Sequence, residues 1–383
     1  MAVPAPMTSR QRAQAALRHE EPDRVPIDFG GRHTIHVEAH RALKQHLGLG
    51  GGVEIVRSLL TNTAEPDPRL VEMFGGDVVA FQPRPGASYA FRLDPATDSW
   101  ADEWGIRYRK PPGGHYYDPF EYPLALAETV AEVERYPLPD PTDPARLAGL
   151  IEPLRAAHAS GDRAVLLNAP AIGIWMMSFY LRGLEQGLMD LAAQPELSEA
   201  LAERVTEWFV TFWDWTLARV GDHVDVVQME GDLGQQDGPL FSPRLFRQIY
   251  KPRLRRVVET IKRRTRAKVL LHACGSVYWA IPDLIEVGID ALNPVQVNAA
   301  GMNTARLKRE FGRDISFWGG GCDTILLQRG SPAEVEREVE RRIADLGPGG
   351  GFVFGSIHNI AAGVPPESVV AMFRAAQKCG SSR

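Results

Sequence analysis

The sequence has few cysteines and no long apolar run. Its three cysteines, Cys274, Cys322 and Cys379, are too few and too widely spaced for a disulfide framework. No window approaches the roughly 18 apolar residues that a membrane helix needs. The N-terminal segment also lacks the apolar stretch of a secretion signal. We therefore expect a cytoplasmic protein with no membrane partner, in which cysteines stay reduced and available as ligands.

An excess of charge of one sign is also missing. The 383 residues carry 43 basic and 48 acidic side chains, a net charge of −5. This balance gives no electrostatic footprint for nucleic acid. Hydrophobic residues make up 44% and charged residues 24%, which excludes a disordered or collagen-like chain. We expect a globular protein with a small-molecule substrate, as a monomer or a homodimer.

Short, nearly continuous apolar runs alternate with longer amphipathic stretches along the sequence. Such runs are typical of parallel strands that are buried on both faces. The eight runs lie at 25–30, 78–82, 164–168, 225–230, 268–273, 290–296, 315–320 and 351–356. Eight strands alternating with helices predict a (β/α)₈ barrel, an α/β fold. An open doubly wound sheet is the rival, but no G-x-G-x-x-G segment follows any run.

Two regions interrupt this alternation. Residues 83–124 are rich in proline, glycine, tryptophan and tyrosine, and they predict an irregular or hairpin insertion. Residues 170–224 predict extra helices. Because the sequence has no clear linker and no internal repeat, we interpret residues 1–383 as one barrel domain whose insertions cover its mouth. A capping box from Thr8 to Gln11 predicts a first helix that ends near residues 21 and 22.

The strand ends provide a candidate metal site. In a (β/α)₈ barrel, functional residues lie at the carboxyl ends of the strands. His272 and Cys274 follow one strand at i and i+2, so their side chains project to the same side. Cys322 adds a third soft donor after a later strand. Three such ligands with an open position are typical of catalytic zinc, although cysteines often only fill the core. Cys379 is interpreted as inert.

Other polar residues at the strand ends are candidates for catalysis or substrate binding. Glu230 and Asp232 are predicted to act as general acid or base, the alternative being that they cap the next loop. His358 is a catalytic candidate whose alternative role is a hydrogen bond to the loop backbone. Arg32 is predicted to face an anionic group of the substrate. The further candidates for substrate binding are Asp28, Asn168 and Gln296.

Several segments resemble the uroporphyrinogen decarboxylase superfamily, most specifically in residues 225–375. They include Leu271-His-Ala-Cys-Gly-Ser, Phe317-Trp-Gly-Gly-Gly-Cys-Asp-Thr and Pro348-Gly-Gly-Gly-Phe-Val-Phe-Gly. The resemblance implies a (β/α)₈ barrel, in agreement with the strand pattern. True decarboxylases carry an Arg-Gln-Ala-Gly-Arg-Tyr type segment that binds the acidic arms of the porphyrinogen. The corresponding stretch here, Asp28-Phe-Gly-Gly-Arg-His, keeps one arginine and the glycine before it.

The resemblance is closer to the branch of methyltransferases that move methyl groups between a corrinoid and a thiol or methyl donor. Their zinc motif is His-x-Cys followed by a later Cys, which His272, Cys274 and Cys322 match. It implies zinc as a Lewis acid that holds a reactive thiolate. We recognise no corrinoid-binding domain in the sequence, so a separate corrinoid protein is the expected partner if cobalamin is used.

Two alternatives to a methyltransferase remain open. The first is a uroporphyrinogen decarboxylase-type lyase that acts on a tetrapyrrole-like polycarboxylate and needs no metal. The second is a non-catalytic barrel that binds a small anion. Bound zinc would separate the methyltransferase from both of these alternatives.

Overall fold

Short strands and helices alternate along the chain in the computed structural model, which describes residues 6–50 and 53–380. The strands of these ranges are β1 (Ile35–His36), β2 (Val56–Ser58), β3 (Thr63–Ala64), β4 (Val78–Phe81), β5 (Ser99–Ala101), β6 (Arg107–Arg109), β7 (Asp118–Glu121), β8 (Ala164–Leu167), β9 (Val226–Glu230), β10 (Lys268–His272), β11 (Ala291–Asn293), β12 (Ser316–Trp318) and β13 (Phe352–Val353). The helices are α1 (Ser9–Leu17), α2 (Val37–His46), α3 (Pro68–Met73), α4 (Val130–Arg135), α5 (Ile151–Ser160), α6 (Ile174–Arg182), α7 (Leu184–Ala193), α8 (Pro195–Val220), α9 (Pro243–Leu245), α10 (Lys251–Arg264), α11 (Ile281–Val287), α12 (Thr304–Phe311), α13 (Thr324–Arg329), α14 (Pro332–Leu346) and α15 (Pro366–Gly380).

Seven strands form a parallel sheet in the order β13-β12-β11-β10-β9-β8-β4. They coincide with seven of the eight apolar runs. The remaining run, residues 25–30, contributes a single bridging residue, because Pro26 has no N–H to donate and Asp28 begins a tight turn. Ile27 forms parallel bridges to Phe354 and to Gly76, which lie at the two edges of the sheet. These bridges close the sheet, and the predicted (β/α)₈ barrel is confirmed.

The barrel interior is a packed core rather than a channel. Each of the seven strands points one side chain into it, and α1 closes the amino-terminal end with a leucine. The residues of this inner cluster are Leu17, Val78, Leu166, Val226, Leu270, Ala291, Trp318 and Val353. A larger apolar cluster fills the space between the sheet and the surrounding helices. Because the barrel is filled, any ligand site must lie at its ends.

The regions that interrupt the alternation form two kinds of structure. Residues 83–124 contain the antiparallel sheet β5-β6-β7, and residues 170–224 contain α6, α7 and the 26-residue helix α8. A second small sheet, β1-β3-β2, was not predicted, because strands of two or three residues show no hydrophobic alternation.

The capping box of Thr8 and Gln11 is present at the start of α1. However, the helix ends at Leu17, so the expected end near residue 21 is wrong. In the described ranges no helix combines the length and apolar character needed to cross a bilayer.

A buried charge cluster supports the residue that closes the barrel. Asp77, which is fully buried, accepts hydrogen bonds from Arg12 at 2.7 Å and from Arg24 at 2.7 and 2.9 Å. It also accepts the backbone N–H of Ile27 at 2.7 Å. The carboxylate therefore holds the closing segment against the start of β4.

We expect Asp77→Ala to lower the free energy of unfolding by about 3–5 kcal/mol, because it removes a buried partner of Arg12 and Arg24 and leaves the N–H of Ile27 without its acceptor. Urea denaturation followed by circular dichroism measures this change. Asp237→Ala, at an exposed loop position, is the matched control and should leave the midpoint unchanged. Equal midpoints for the two variants would contradict the assigned role.

Candidate metal centre

The last residues of three neighbouring strands carry the centre of the site. Glu230 ends β9, His272 ends β10 and Asn293 ends β11, and the three residues are in register across the sheet. Since paired residues of adjacent strands project to the same side, their side chains meet above the barrel. His272 Nδ1 lies 2.6 Å from Asn293 Oδ1. The ring donates through Nδ1 to this oxygen, which leaves the Nε2 lone pair free to bind a metal.

Three potential ligand atoms converge beside this ring. The nearest atoms of His272, Cys274 and His358 all lie within 4.8 Å of one another. Cys274 Sγ is 3.3 Å from His272 Nε2. A sulfur and a nitrogen bound to the same tetrahedral zinc are about 3.6 Å apart, from the usual bond lengths. His358 reaches the centre from the loop that follows β13.

The protonation states of these groups suit a divalent cation. Burial lowers the pKa of His358 to about 4 and the pKa of His272 well below its usual value, and Arg32 adds to both shifts. Both rings are therefore neutral ligands at pH 7. Burial, with the nearby Asp232 carboxylate, raises the pKa of the Cys274 thiol well above its usual value. A cation would stabilise the thiolate there, so the donor set fits zinc.

Among the described residues, Cys322 lies outside this cluster of ligand atoms. Its Sγ donates to the Asp323 carbonyl at 3.5 Å. Burial and the nearby Glu338 carboxylate raise its pKa to about 12. Asp323 caps α13 by accepting the N–H groups of Ile325 and Leu326, which fixes the backbone beside the thiol. In this geometry His358, rather than Cys322, lies beside His272 and Cys274, and the role of Cys322 as a ligand stays a prediction.

A second layer of buried side chains fixes Asn293. Its Nδ2 donates to His33 Nε2 at 2.7 Å and to the Trp318 carbonyl at 3.0 Å. The loop after the barrel-closing residue supplies His33, which packs against Gly355. A Cβ at Gly355 would lie 2.0 Å from His33 Nδ1, so only glycine fits there. These contacts determine which way the Asn293 amide points, and therefore which nitrogen of His272 faces the centre.

Asp28 anchors the same loop, and its predicted contact with the substrate stays a prediction. It is fully buried and accepts the N–H groups of Gly31, Arg32 and His33 at 2.9–3.1 Å. It also accepts the indole N–H of Trp318 at 2.7 Å. With this many donors, its oxygens are committed to holding the loop in place.

Gln296 also serves the backbone. Its Oε1 accepts the N–H of Gly275 at 2.8 Å, and its Nε2 donates to Gln236 at 3.2 Å. Gly275 has a φ of +87°, a conformation that glycine adopts without strain. Gln296 therefore stabilises the turn that follows Cys274, and its predicted contact with the substrate stays a prediction.

The acidic candidates lie directly at the centre. Asp232 Oδ1 accepts the backbone N–H of Cys274 at 2.8 Å, which positions the thiol. Burial raises the pKa of Asp232. Glu230 Oε1 is 3.5 Å from a terminal nitrogen of Arg32. Both carboxylates and Arg32 line the same cavity, and their action on a substrate stays a prediction.

A cavity of about 500 Å³ opens above the metal centre. His272 and His358 lie at its base, and Asn168 lines it from the end of β8. Its remaining wall comes from the β5-β6-β7 insertion and α6, through Trp100 and Tyr180 among others. These aromatic residues are not among the site residues predicted from the sequence. For Trp100, the enrichment of residues 83–124 in tryptophan and tyrosine is the signal that could have indicated a role.

The model of the family "Uroporphyrinogen decarboxylase (URO-D)" matches residues 121–379. The chain belongs to the uroporphyrinogen decarboxylase family. The match includes all the strands of the barrel except β4, together with the three residues of the metal centre. It leaves out the first loop, the β1-β3-β2 sheet and most of the insertion that covers the cavity.

Individual relatives are distant. The uroporphyrinogen decarboxylase of Alkalilimnicola ehrlichii is 26% identical over 267 residues, 67% of each chain. That of Pseudomonas aeruginosa PAO1 is 23% identical over 273 residues, 68% of this chain and 72% of its own. A solved structure named methyltransferase from Methanosarcina mazei superposes with a TM-score of 0.65 at 17% identity, covering 97% of this chain and 99% of its own. That likeness shows a shared fold.

One acid in the cavity wall gives a pH-dependent stability. Burial raises the pKa of Asp102 to about 6, so its contribution is full below about pH 4 and is lost as the pH rises through 6. Asp102→Asn cannot ionise, and its oxygen still accepts from Trp104 and Ile106. Between pH 4 and 7 we expect the wild type to lose about 1–2 kcal/mol of unfolding free energy relative to this variant. Urea titrations at both pH values measure the difference, and parallel pH profiles would contradict it.

Proposed function

We propose that this protein is a zinc-dependent methyltransferase that passes a methyl group between a donor or corrinoid and a thiol. The observation that supports it is the convergence of His272, Cys274 and His358 beside a large cavity that both histidines line. Two neutral imidazoles, one thiol and an open side match the ligand pattern of catalytic zinc. The proposal is that these three residues hold the ion and that the cavity admits the substrates.

Bound zinc would supply Lewis acidity that lowers the pKa of a substrate thiol. The chain's own residues position the reaction around it. Asn293 fixes the tautomer of His272, and Asp232 orients Cys274 through its backbone N–H. Glu230 would accept the thiol proton and become neutral, and Arg32, 3.5 Å away, would orient its carboxyl group.

Methylcobalamin and 2-mercaptoethanol are suitable probes of this activity under anaerobic conditions. The thiolate sulfur forms the new bond to the methyl carbon, and cobalt keeps both electrons of the broken Co–C bond as cob(I)alamin. Glu230 would accept the thiol proton and pass it to solvent. Loss of the methylcobalamin spectrum should depend on zinc and on Cys274. A separate corrinoid protein is the proposed partner that would present the cofactor in the cell.

A second candidate function is a metal-independent decarboxylase. It is supported by the sequence similarity to relatives that are named uroporphyrinogen decarboxylases. Incubation with uroporphyrinogen separates the two, because a decarboxylase would form less acidic porphyrinogens without zinc. Formation of these products by zinc-free protein at the rate of zinc-loaded protein would replace the first proposal with the second.

We expect protein purified without chelators and supplemented with zinc to bind about one ion per chain. His272→Ala, Cys274→Ala and His358→Ala should each lose it, because two remaining ligands bind zinc weakly. Atomic emission spectrometry after gel filtration measures the stoichiometry. Cys322→Ala removes a buried thiol of the same type and is the matched control, since it should retain zinc. Zinc loss in Cys322→Ala with retention in His358→Ala would contradict the proposed ligand set.

Asn293 should affect zinc without binding it. Asn293→Ala removes the hydrogen bond that fixes the His272 ring, so we expect zinc affinity to fall by roughly 10–100-fold. Competition with a fluorescent chelator gives the affinity. Asn298→Ala, at the nearby loop position whose amide donates to Thr324, is the control and should bind zinc normally. Unchanged affinity in Asn293→Ala would show that the ring is held by other contacts.

A further inference from the structure

We propose that the cavity wall formed by the insertion and α6 is a binding subsite for an aromatic ring that carries a carboxylate and a hydroxyl group. The inference rests on the proposed function only for the position of the reacting centre at the base of the cavity. It concerns the substrate class, which the family does not define for this chain. The wall lies largely outside the matched residues 121–379.

The wall presents flat, polarisable side chains in fixed positions. Trp100 and Tyr108 lie on paired strands, with ring centroids 4.6 Å apart and planes inclined by 20°. Tyr108 is further held by the hydrogen bond from its hydroxyl to Asp102 at 3.0 Å. Met176 and Tyr180 of α6 line the same cavity. Aromatic and thioether groups of this kind favour contact with a planar ring.

Three residues that line the cavity each hold one polar atom without a partner. Within the described ranges Trp100 Nε1, Arg32 Nε and Asn168 Oδ1 are buried and make no hydrogen bond. Asn168 is only 8% exposed, so burial without a partner is costly. The first two atoms are donors and the third is an acceptor. A ligand with carboxylate oxygens and one hydroxyl group supplies the complementary set.

The size of the cavity agrees with this class of ligand. Its volume of about 500 Å³ lies within the range of roughly 300–1,000 Å³ typical of pockets for organic ligands. A one-carbon donor would leave most of it empty.

The test uses 4-hydroxybenzoate as the probe, titrated calorimetrically into zinc-loaded and zinc-free protein. We expect it to bind, with acetate and cyclohexanecarboxylate binding at least tenfold more weakly because they lack the planar ring. Trp100→Phe keeps a ring on Tyr108 and removes the N–H, so binding should weaken about three- to tenfold. Asn168→Leu should weaken it similarly. Trp215→Phe, at a half-buried position of α8 outside the cavity, is the matched control and should bind normally.

Three results would overturn the proposal: no binding of 4-hydroxybenzoate to folded wild-type protein, equal binding of cyclohexanecarboxylate, or preferential binding of phenyltrimethylammonium. Near-ultraviolet circular dichroism checks that each variant is folded. If Trp100→Phe does not fold, the binding measured for Asn168→Leu tests the subsite. Zinc content is measured on the same samples. Zinc binding without ring binding contradicts this subsite alone, whereas ring binding without zinc contradicts the proposed function and leaves the subsite in place.

Discussion

The hydrogen bond between His272 Nδ1 and Asn293 Oδ1 is the contact on which the geometry of the candidate metal centre depends. It follows from the register of β10 and β11, which places both residues at the same height on the carboxyl edge of the sheet. The bond turns the free Nε2 of His272 towards Cys274. Because the amide of Asn293 also donates to His33, its orientation cannot reverse without losing buried hydrogen bonds.

Closure of the barrel brings distant parts of the chain to this centre. Ile27 joins both edges of the sheet, so the loop carrying Arg32 and His33 lies beside the loop carrying His358. Asp28 and Trp318 hold the first of these loops with buried hydrogen bonds. The charge cluster of Asp77 supports the same segment from the opposite end of the barrel. Stability and site geometry therefore depend on one closing segment.

Much of the fold could be predicted from the sequence, because buried parallel strands leave nearly continuous apolar runs. His272 and Cys274 could be found because residues at i and i+2 of an extended segment share a side. The position of His358 beside them could not be predicted, because the paths of the loops after β12 and β13 depend on packing that no local sequence pattern reports. Asp28 and Gln296 look like substrate contacts in the sequence, but they accept backbone N–H groups in the structure. Short strands such as β1 and β3 carry no detectable pattern.

The central claim is that one thiol and two imidazoles form the metal centre. X-ray absorption at the zinc edge of the zinc-loaded protein tests it most directly, because sulfur and nitrogen ligands differ in distance by about 0.3 Å. We expect one sulfur and two imidazole nitrogens bound to the zinc ion, with a light atom from solvent as the remaining ligand. A first shell with two sulfurs would contradict it and return Cys322 to the ligand set.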